Sequence, residues 1–317
     1  MHLKAREKRQ ESLIIILLII LGVVLVGSWC RHQVWRSYHT LETHYLEVGL
    51  DRWQPDDASL KGTEVSSSEV ETPLRIAVIA DLHETVFEEN NELLIRQILD
   101  AEPDMILMAG DMLDDGMKEC GALLALVQRL AAQCPVYFGL GNHEFAYMKS
   151  HPELPEQLAQ AGAVVLEEDY VDICIQGQDV RIGGMYAYGF FPETQEELQE
   201  MPEDRQATYG FLQEFQDTDA CKILICHRPD SFIFNNAGRL WDVDLVVSGH
   251  VHGGQVVLPL LGGLWAPDQG WWPDYVDGLH QCGQVQVAIT TGLGSQEEAL
   301  PRFNNPPEIL ILQVGGQ

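Results

Sequence analysis

The 317-residue chain is 46% hydrophobic and carries 19 Lys and Arg against 48 Asp and Glu, a formal charge of −29. One large core or two small ones can be buried at this length, and so large an acid excess argues against nucleic acid as the main partner, because phosphate contacts need Lys and Arg to displace counterions. Bound polyvalent cations are favoured by the same excess, while seven cysteines without a C-x-x-C pair suggest neither a thiolate zinc site nor a dense disulfide framework.

Residues 1–12 form a basic N-terminus, with Lys4, Arg6, Lys8 and Arg9. Leu13 to Trp29 then run without a charge, long enough at the helical rise to cover about the hydrocarbon thickness of a bilayer. Residues 13–30 therefore read as a transmembrane anchor. A cleaved signal peptide has a shorter apolar region ending in a small-x-small site, and the bulky Trp29 stands directly before Cys30. Four basic residues precede the span and two, Arg31 and Arg36, follow it closely, so the positive-inside tendency puts the N-terminus in the cytoplasm and the rest of the chain outside. Residues 31–72 are polar and aperiodic beyond Leu50, and read as a stalk.

From Pro73 onward short β-branched runs alternate with helical periodicity. Strands are expected over 74–80, 105–109, 136–140, 171–175, 180–185, 223–226, 245–247, 285–290 and 309–314, and helices over 91–101, 117–132, 154–161, 194–201 and 205–215. Such alternation predicts a layered α/β domain, and no linker divides residues 73–317.

Polar clusters stand directly after five of the apolar runs: Asp81-Leu82-His83, Gly110-Asp111, Gly141-Asn142-His143-Glu144, His227, and Gly249-His250-Val251-His252-Gly253-Gly254-Gln255. Strand C-termini are where open α/β sheets place their sites, and carboxylate, imidazole and amide oxygen together suit a borderline divalent metal. A single Asp-x-His or His-x-His is more often a cap or a satisfied core histidine; five such clusters in this order predict a metal site.

That order resembles the calcineurin-like metallophosphoesterases over residues 73–317. Thr291-Gly292-Leu293-Gly294 and Arg302-Phe303-Asn304-Asn305-Pro306-Pro307-Glu308 look like the membrane-associated bacterial phosphodiesterase branch. The resemblance implies an αββα sandwich behind one N-terminal transmembrane helix, with two divalent ions (Mn, Fe or Zn). Asp81, His83 and His252 would hold one ion; Asn142, His227 and His250 would hold the other; Asp111 would bridge them. Such a pair lowers the pKa of a shared water and clamps the oxygens of an in-line displacement.

His143 would then be the proton donor or phosphate contact, with Glu144 orienting it or a metal-bound histidine. Arg228 would meet substrate phosphate or pair with Asp230 or another nearby acid. Glu84 stands where relatives commonly have an apolar or small residue, and Glu144 where many have Asp. The Trp-rich stretch Leu258 to Tyr275 is open between a loop that meets a bilayer or acyl chain and a hairpin packed over the site.

The function expected is hydrolysis of phosphodiester or pyrophosphate bonds, on lipid-linked or cell-envelope substrates, by a single-pass membrane protein with its catalytic domain outside the cytoplasm. The alternatives are a phosphomonoesterase or nucleotidase of the same fold and a non-catalytic metal-binding scaffold.

Overall fold

Side chains alternate between two faces along an extended chain, and most central strands of this protein have both faces covered. The computed structural model describes residues 2–53, 73–186, 200–234, 237–295 and 300–315. Its strands are β1 (Glu42–Gly49), β2 (Leu74–Ile79), β3 (Met105–Ala109), β4 (Val136–Gly139), β5 (Ala163–Leu166), β6 (Asp169–Ile175), β7 (Gln178–Met185), β8 (Cys221–Cys226) and β9 (Leu245–Ser248). Four two-residue strands follow, β10 (Val257–Leu258), β11 (Gly262–Gly263), β12 (Trp265–Ala266) and β13 (Gly270–Trp271), then β14 (Gly278–Cys282), β15 (Val285–Ile289) and β16 (Glu308–Gly315). The helices of the first half are α1 (His2–His39), α2 (Glu92–Asp100), α3 (Gly121–Ala131), α4 (Asn142–Met148) and α5 (Leu154–Gln160).

Two six-stranded mixed sheets result, ordered β1-β16-β2-β3-β4-β5 and β14-β15-β9-β8-β7-β6. Ile76 and Val78 of β2 and Leu107 of β3 lie in one core with Ile223, Ile225 and Val247 of the second sheet. The alternate residues Ala77, Ile79, Ile106 and Met108 pack instead with Leu94 and Ile98 of α2 and Leu123 and Leu126 of α3. On the far side, Leu224 and Val246 meet Phe211 and Phe215 of the helix Glu203–Gln216. These layers, helix, sheet, sheet, helix, are the αββα sandwich the resemblance implies.

The expected strands are all present with ends shifted by a residue or two, and most helices likewise, although α3 begins at Gly121 rather than Met117. Residues 194–199 of one expected helix lie outside the described residues. Two departures concern the N-terminal segment. The helix does not stop near residue 30 but continues to His39, and Ser12–His39 is long and apolar enough to cross a membrane, a test that a signal sequence also passes.

The stalk expected over 31–72 is replaced, up to residue 53, by helix and by an edge strand. β1 pairs in parallel with β16 from Glu42↔Glu308 to Gly49↔Gly315, and Val48, Leu50 and Trp53 are buried in the inter-sheet core. Pairing and burial outweigh the polar composition, because the outward-facing residues of an edge strand are free to be Glu, His and Thr.

Candidate metal centre

All five polar clusters converge on one end of the sandwich. Asp81 and His83 follow β2, Asp111 follows β3, Asn142 opens α4 just after β4, His227 follows β8, and His250 and His252 follow β9. The backbone is bent hard to bring them there. Asp81, His83, Asp111, His250 and His252 all have φ between 46° and 71°, a region that non-glycine residues enter at a cost of about 1–3 kcal/mol each and that clusters at functional sites. A Cβ at Gly141 would overlap the Asp111 carboxylate, so only glycine admits that carboxylate so near the backbone.

The loops are tied to one another by their own amides. Asp81 N donates to Gly110 O at 2.9 Å and Gly249 N to His227 O at 3.1 Å. His250 N donates to the Asp81 carboxylate at 3.0 Å, and His143 N to Asp111 Oδ1 at 2.8 Å.

Three compact groups of ligand-type side chains occur among the described residues: Asp81, His83 and His252; Asp111, His227 and His250; and His83, Asp114 and His143, each with its donor atoms within 4.8 Å of one another. The first matches one set the resemblance implies; the second holds His227 and His250 of the other set together with Asp111, the residue expected to bridge. Each ring has one nitrogen committed to a fixed partner. His83 Nδ1 meets Asp114 Oδ1 at 2.8 Å, His227 Nδ1 meets Ala109 O at 2.7 Å, His252 Nδ1 meets Gly294 O at 3.2 Å, and His250 Nε2 meets Asp268 Oδ2 at 3.1 Å. A carbonyl only accepts, so the Nδ1 of His227 and of His252 carries the proton, and the lone pair of a neutral ring sits on Nε2.

Among the described residues, the buried side-chain atoms without a hydrogen-bond partner include His83 Nε2, Asn142 Oδ1 and His227 Nε2, the last lying 3.0 Å from the Asp111 carboxylate. Buried polar atoms in that state are expensive, and all three belong to the predicted ligand set. The residues therefore fit a pair of borderline divalent ions, in chemistry and in unmet coordination.

The carboxylates and imidazoles of the site shift one another's protonation. Burial pushes the Asp81 carboxyl up to about 6 against the pull of His227. Burial also pushes Asp111 up, but His227, His143 and His83 outweigh it and hold that carboxyl below its ordinary value. His227 is lowered by burial yet raised overall to about 9 by Asp111 and Asp81. Burial lowers His252 well below its ordinary value and lowers His250 as well. Burial lowers His83 too, yet Asp114 and Asp81 raise it overall; a divalent cation binds the neutral ring, so loading the site would release the protons that these carboxylates hold on His227 and His83.

The residues around the ligands behave less as predicted. Glu144 accepts hydrogen bonds from the amides of Asp111 (2.8 Å), Met112 (2.7 Å) and Gly141 (2.8 Å). Its carboxylate thus clamps two ligand-bearing loops by their backbone, in place of the histidine contact expected. His143 Nδ1 accepts from the amide of Asp115 at 3.3 Å, so a neutral ring carries its proton on Nε2, which lies 3.9 Å from Asp111 Oδ2. Arg228 lies 3.7 Å from Asp268 and 5.1 Å above the ring of Tyr186, so a nearby acid faces its guanidinium, which also acts on the Asp230 carboxyl.

Asp114 and Asp268 were not singled out from sequence. Asp114 had a signal, three residues after Asp111; Asp268, inside the irregular Trp-rich stretch, had none.

The profile of the calcineurin-like phosphoesterase family matches residues 74–254. The chain belongs to that family, a class of metal-dependent phosphoric ester hydrolases that use a dinuclear divalent centre. It is 26% identical over 276 residues to an uncharacterised metallophosphoesterase of Campylobacter jejuni, covering 82% of this chain and 65% of that protein, so it spans just under two thirds of that relative. It is 28% identical over 250 residues to phosphodiesterase YaeI of Escherichia coli, covering 76% of this chain and 82% of that one. A solved structure of a phosphopantetheinyl hydrolase from Mycobacterium tuberculosis superposes with a TM-score of 0.43 at 15% identity, over 69% of this chain and 89% of the other.

Proposed function

We propose that this protein is a membrane-anchored phosphodiesterase that cleaves phosphodiester or pyrophosphate bonds of lipid-linked or envelope substrates, with its catalytic domain outside the cytoplasm. The observation that carries the chemistry is the pair of ligand groups with their unmet donors, His83 Nε2, His227 Nε2 and Asn142 Oδ1. Asp81, His83 and His252 would hold one ion, Asn142, His227 and His250 the other, and Asp111 both. Two bound divalent ions would supply Lewis-acid charge stabilisation and lower the pKa of the attacking water. In this chain His143, as an imidazolium with Nδ1 toward the Asp114 and Asp115 carboxylates, would give its Nε2 proton to the departing alkoxide oxygen and be left as the neutral ring. Glu144 keeps the Asp111 and Gly141 backbones in place, and Arg228 balances charge beside Asp268.

Support for a lipid-linked substrate comes from a cavity of about 640 Å³ whose lining includes both Ser37 and Tyr38 of α1 and Asp114 and Asp115. It joins the last turn of the anchor helix to the acid that holds His83. A substrate tethered in the same bilayer would reach the metals along that path.

The test uses the full chain in detergent with its metal content measured. Turnover of bis(p-nitrophenyl) phosphate well above that of p-nitrophenyl phosphate is expected, and it should be lost in Asp111→Asn. Preference for the monoester would replace this reading with that of a phosphomonoesterase, and full activity in Asp111→Asn would remove the site.

A further inference from the structure

The Trp-rich stretch resolves both of its sequence readings at once. It folds as two small hairpins, β10 with β11 and β12 with β13. Their inner side is packed: Ala266 and Val276 are buried in the core beneath, and Asp268, in the second turn, reaches His250. Their outer side is bare. Leu260 is fully exposed, and Leu261, Trp271 and Trp272 are 65%, 64% and 52% exposed. Leu260 and Trp272 also hold φ values of 70° and 59°. A leucine at the apex of a left-handed turn, wholly in solvent, serves no packing purpose, and four large exposed apolar side chains within 13 residues of one short segment point to an interaction surface.

The position of this surface identifies what it meets. Trp29, the last residue of the apolar run, meets Phe303 edge-on at 5.5 Å between ring centres. Phe303 is bonded through its backbone to the first hairpin: Val257 N donates to Phe303 O at 2.9 Å, and Phe303 N to Gln255 O at 3.1 Å. The end of the apolar run of α1 is thus linked through Phe303 to Val257 of the first hairpin, and Leu260 follows three residues later in the chain. Beyond residue 36 the chain has 13 Lys and Arg against 46 Asp and Glu, a balance of −33, so charge cannot draw the domain onto anionic lipid. Leucine and tryptophan are the side chains that settle at the headgroup boundary without it.

We propose that Leu260, Leu261, Trp271 and Trp272 dip into the boundary between headgroups and acyl chains of the bilayer that α1 spans, a second contact that rests on reading α1 as an anchor. Through Asp268 the same hairpins touch a metal-binding histidine, so the lipid surface and the site share one short segment.

The test is photolabelling of the full chain, reconstituted into phosphatidylethanolamine and phosphatidylglycerol vesicles, with a phospholipid bearing a diazirine in its acyl chain. Labelled peptides are mapped by mass spectrometry. Label is expected within 13–29 and within 257–272. In the double variant Leu260→Asp, Leu261→Asp the hairpin label should fall about tenfold, with turnover of soluble bis(p-nitrophenyl) phosphate unchanged. Label in 13–29 without label in 257–272 overturns the hairpin contact and leaves the anchor standing. Absence of label from 13–29 overturns the anchor reading and this proposal with it. The unsubstituted chain decides between these even where the variant misfolds.

Discussion

The backbone amide of Asp111 donates to the carboxylate of Glu144 at 2.8 Å, so the residue proposed to bridge the ions is aimed by a side chain in the first turn of α4. The same carboxylate takes the amides of Met112 and Gly141, and it is fully buried. Glu144→Gln keeps the shape but turns an NH2 group toward at least one of those donors. The expected result is a loss of about 1–3 kcal/mol in chemical denaturation together with a reduced metal stoichiometry. Unaltered metal content would mean that the clamp has no bearing on the ligands.

His143 stands outside the seven predicted ligands while lying beside them. His143→Ala should lower kcat for a diester by about 10²–10⁴-fold, the range of general acid catalysis, with metal stoichiometry retained. Elemental analysis alongside steady-state kinetics separates this from ligand loss. A variant that lost an ion together with its activity would make His143 a ligand, as its proximity to His83 and Asp114 also allows.

Asp268 fixes His250 through Nε2 at 3.1 Å, in the way that carboxylates fix metal-binding imidazoles. Asp268→Ala is expected to weaken metal binding by about 10–100-fold, read by titration of the metal-stripped protein. Equal affinity in variant and parent would reduce the contact to a surface ion pair.

His44 and Glu308 join β1 to β16 at 2.7 Å and give a pH dependence remote from the metals. The bond to Glu308 raises the His44 pKa above 6.5, so this stabilisation is complete below about 6.5 and is lost as pH rises through the raised value. Burial raises the Glu308 carboxyl, but His44 and the Thr291 amide hold it below its ordinary 4.5, so its share is present above about 4.5 and lost on acidification. The pair contributes most between those limits. His44→Gln should cost stability near pH 6 and little near pH 9, and a penalty that grew with pH would contradict the sign.

How much of this was legible in the sequence follows from where information sits. Asp81, His83, Asp111, Asn142, His227, His250 and His252 could be read because each follows an apolar run directly, and the strands carrying them are buried on both faces. β1 could not: its sequence, Glu42-Thr-His-Tyr-Leu-Glu-Val-Gly49, is polar on its outward face, and its partner β16 lies at the other end of the chain. α4 was hidden for another reason, since its first three residues are Asn142, His143 and Glu144, and a seven-residue helix has too little periodicity to declare itself.

The hidden strand has a practical outcome. A soluble fragment starting near Ser67, natural if 31–72 were a stalk, removes Val48, Leu50 and Trp53 from the inter-sheet core and leaves the edge of β16 open. A fragment starting at Leu41 should remain monomeric in size-exclusion chromatography, while the shorter one should aggregate.

Only Thr40 and Leu41 separate α1 from β1, and that corner is locked: Arg36 pairs with Glu42, and Tyr38 takes the amide of Arg302. A stalk would have let the metals roam a hemisphere around their mooring; a locked corner makes the helix a lever. If α1 spans a bilayer as proposed, whatever sets its inclination, such as a thinner or thicker bilayer, would rotate the catalytic face by the same angle, so lipid composition would select which phosphoesters the site can reach.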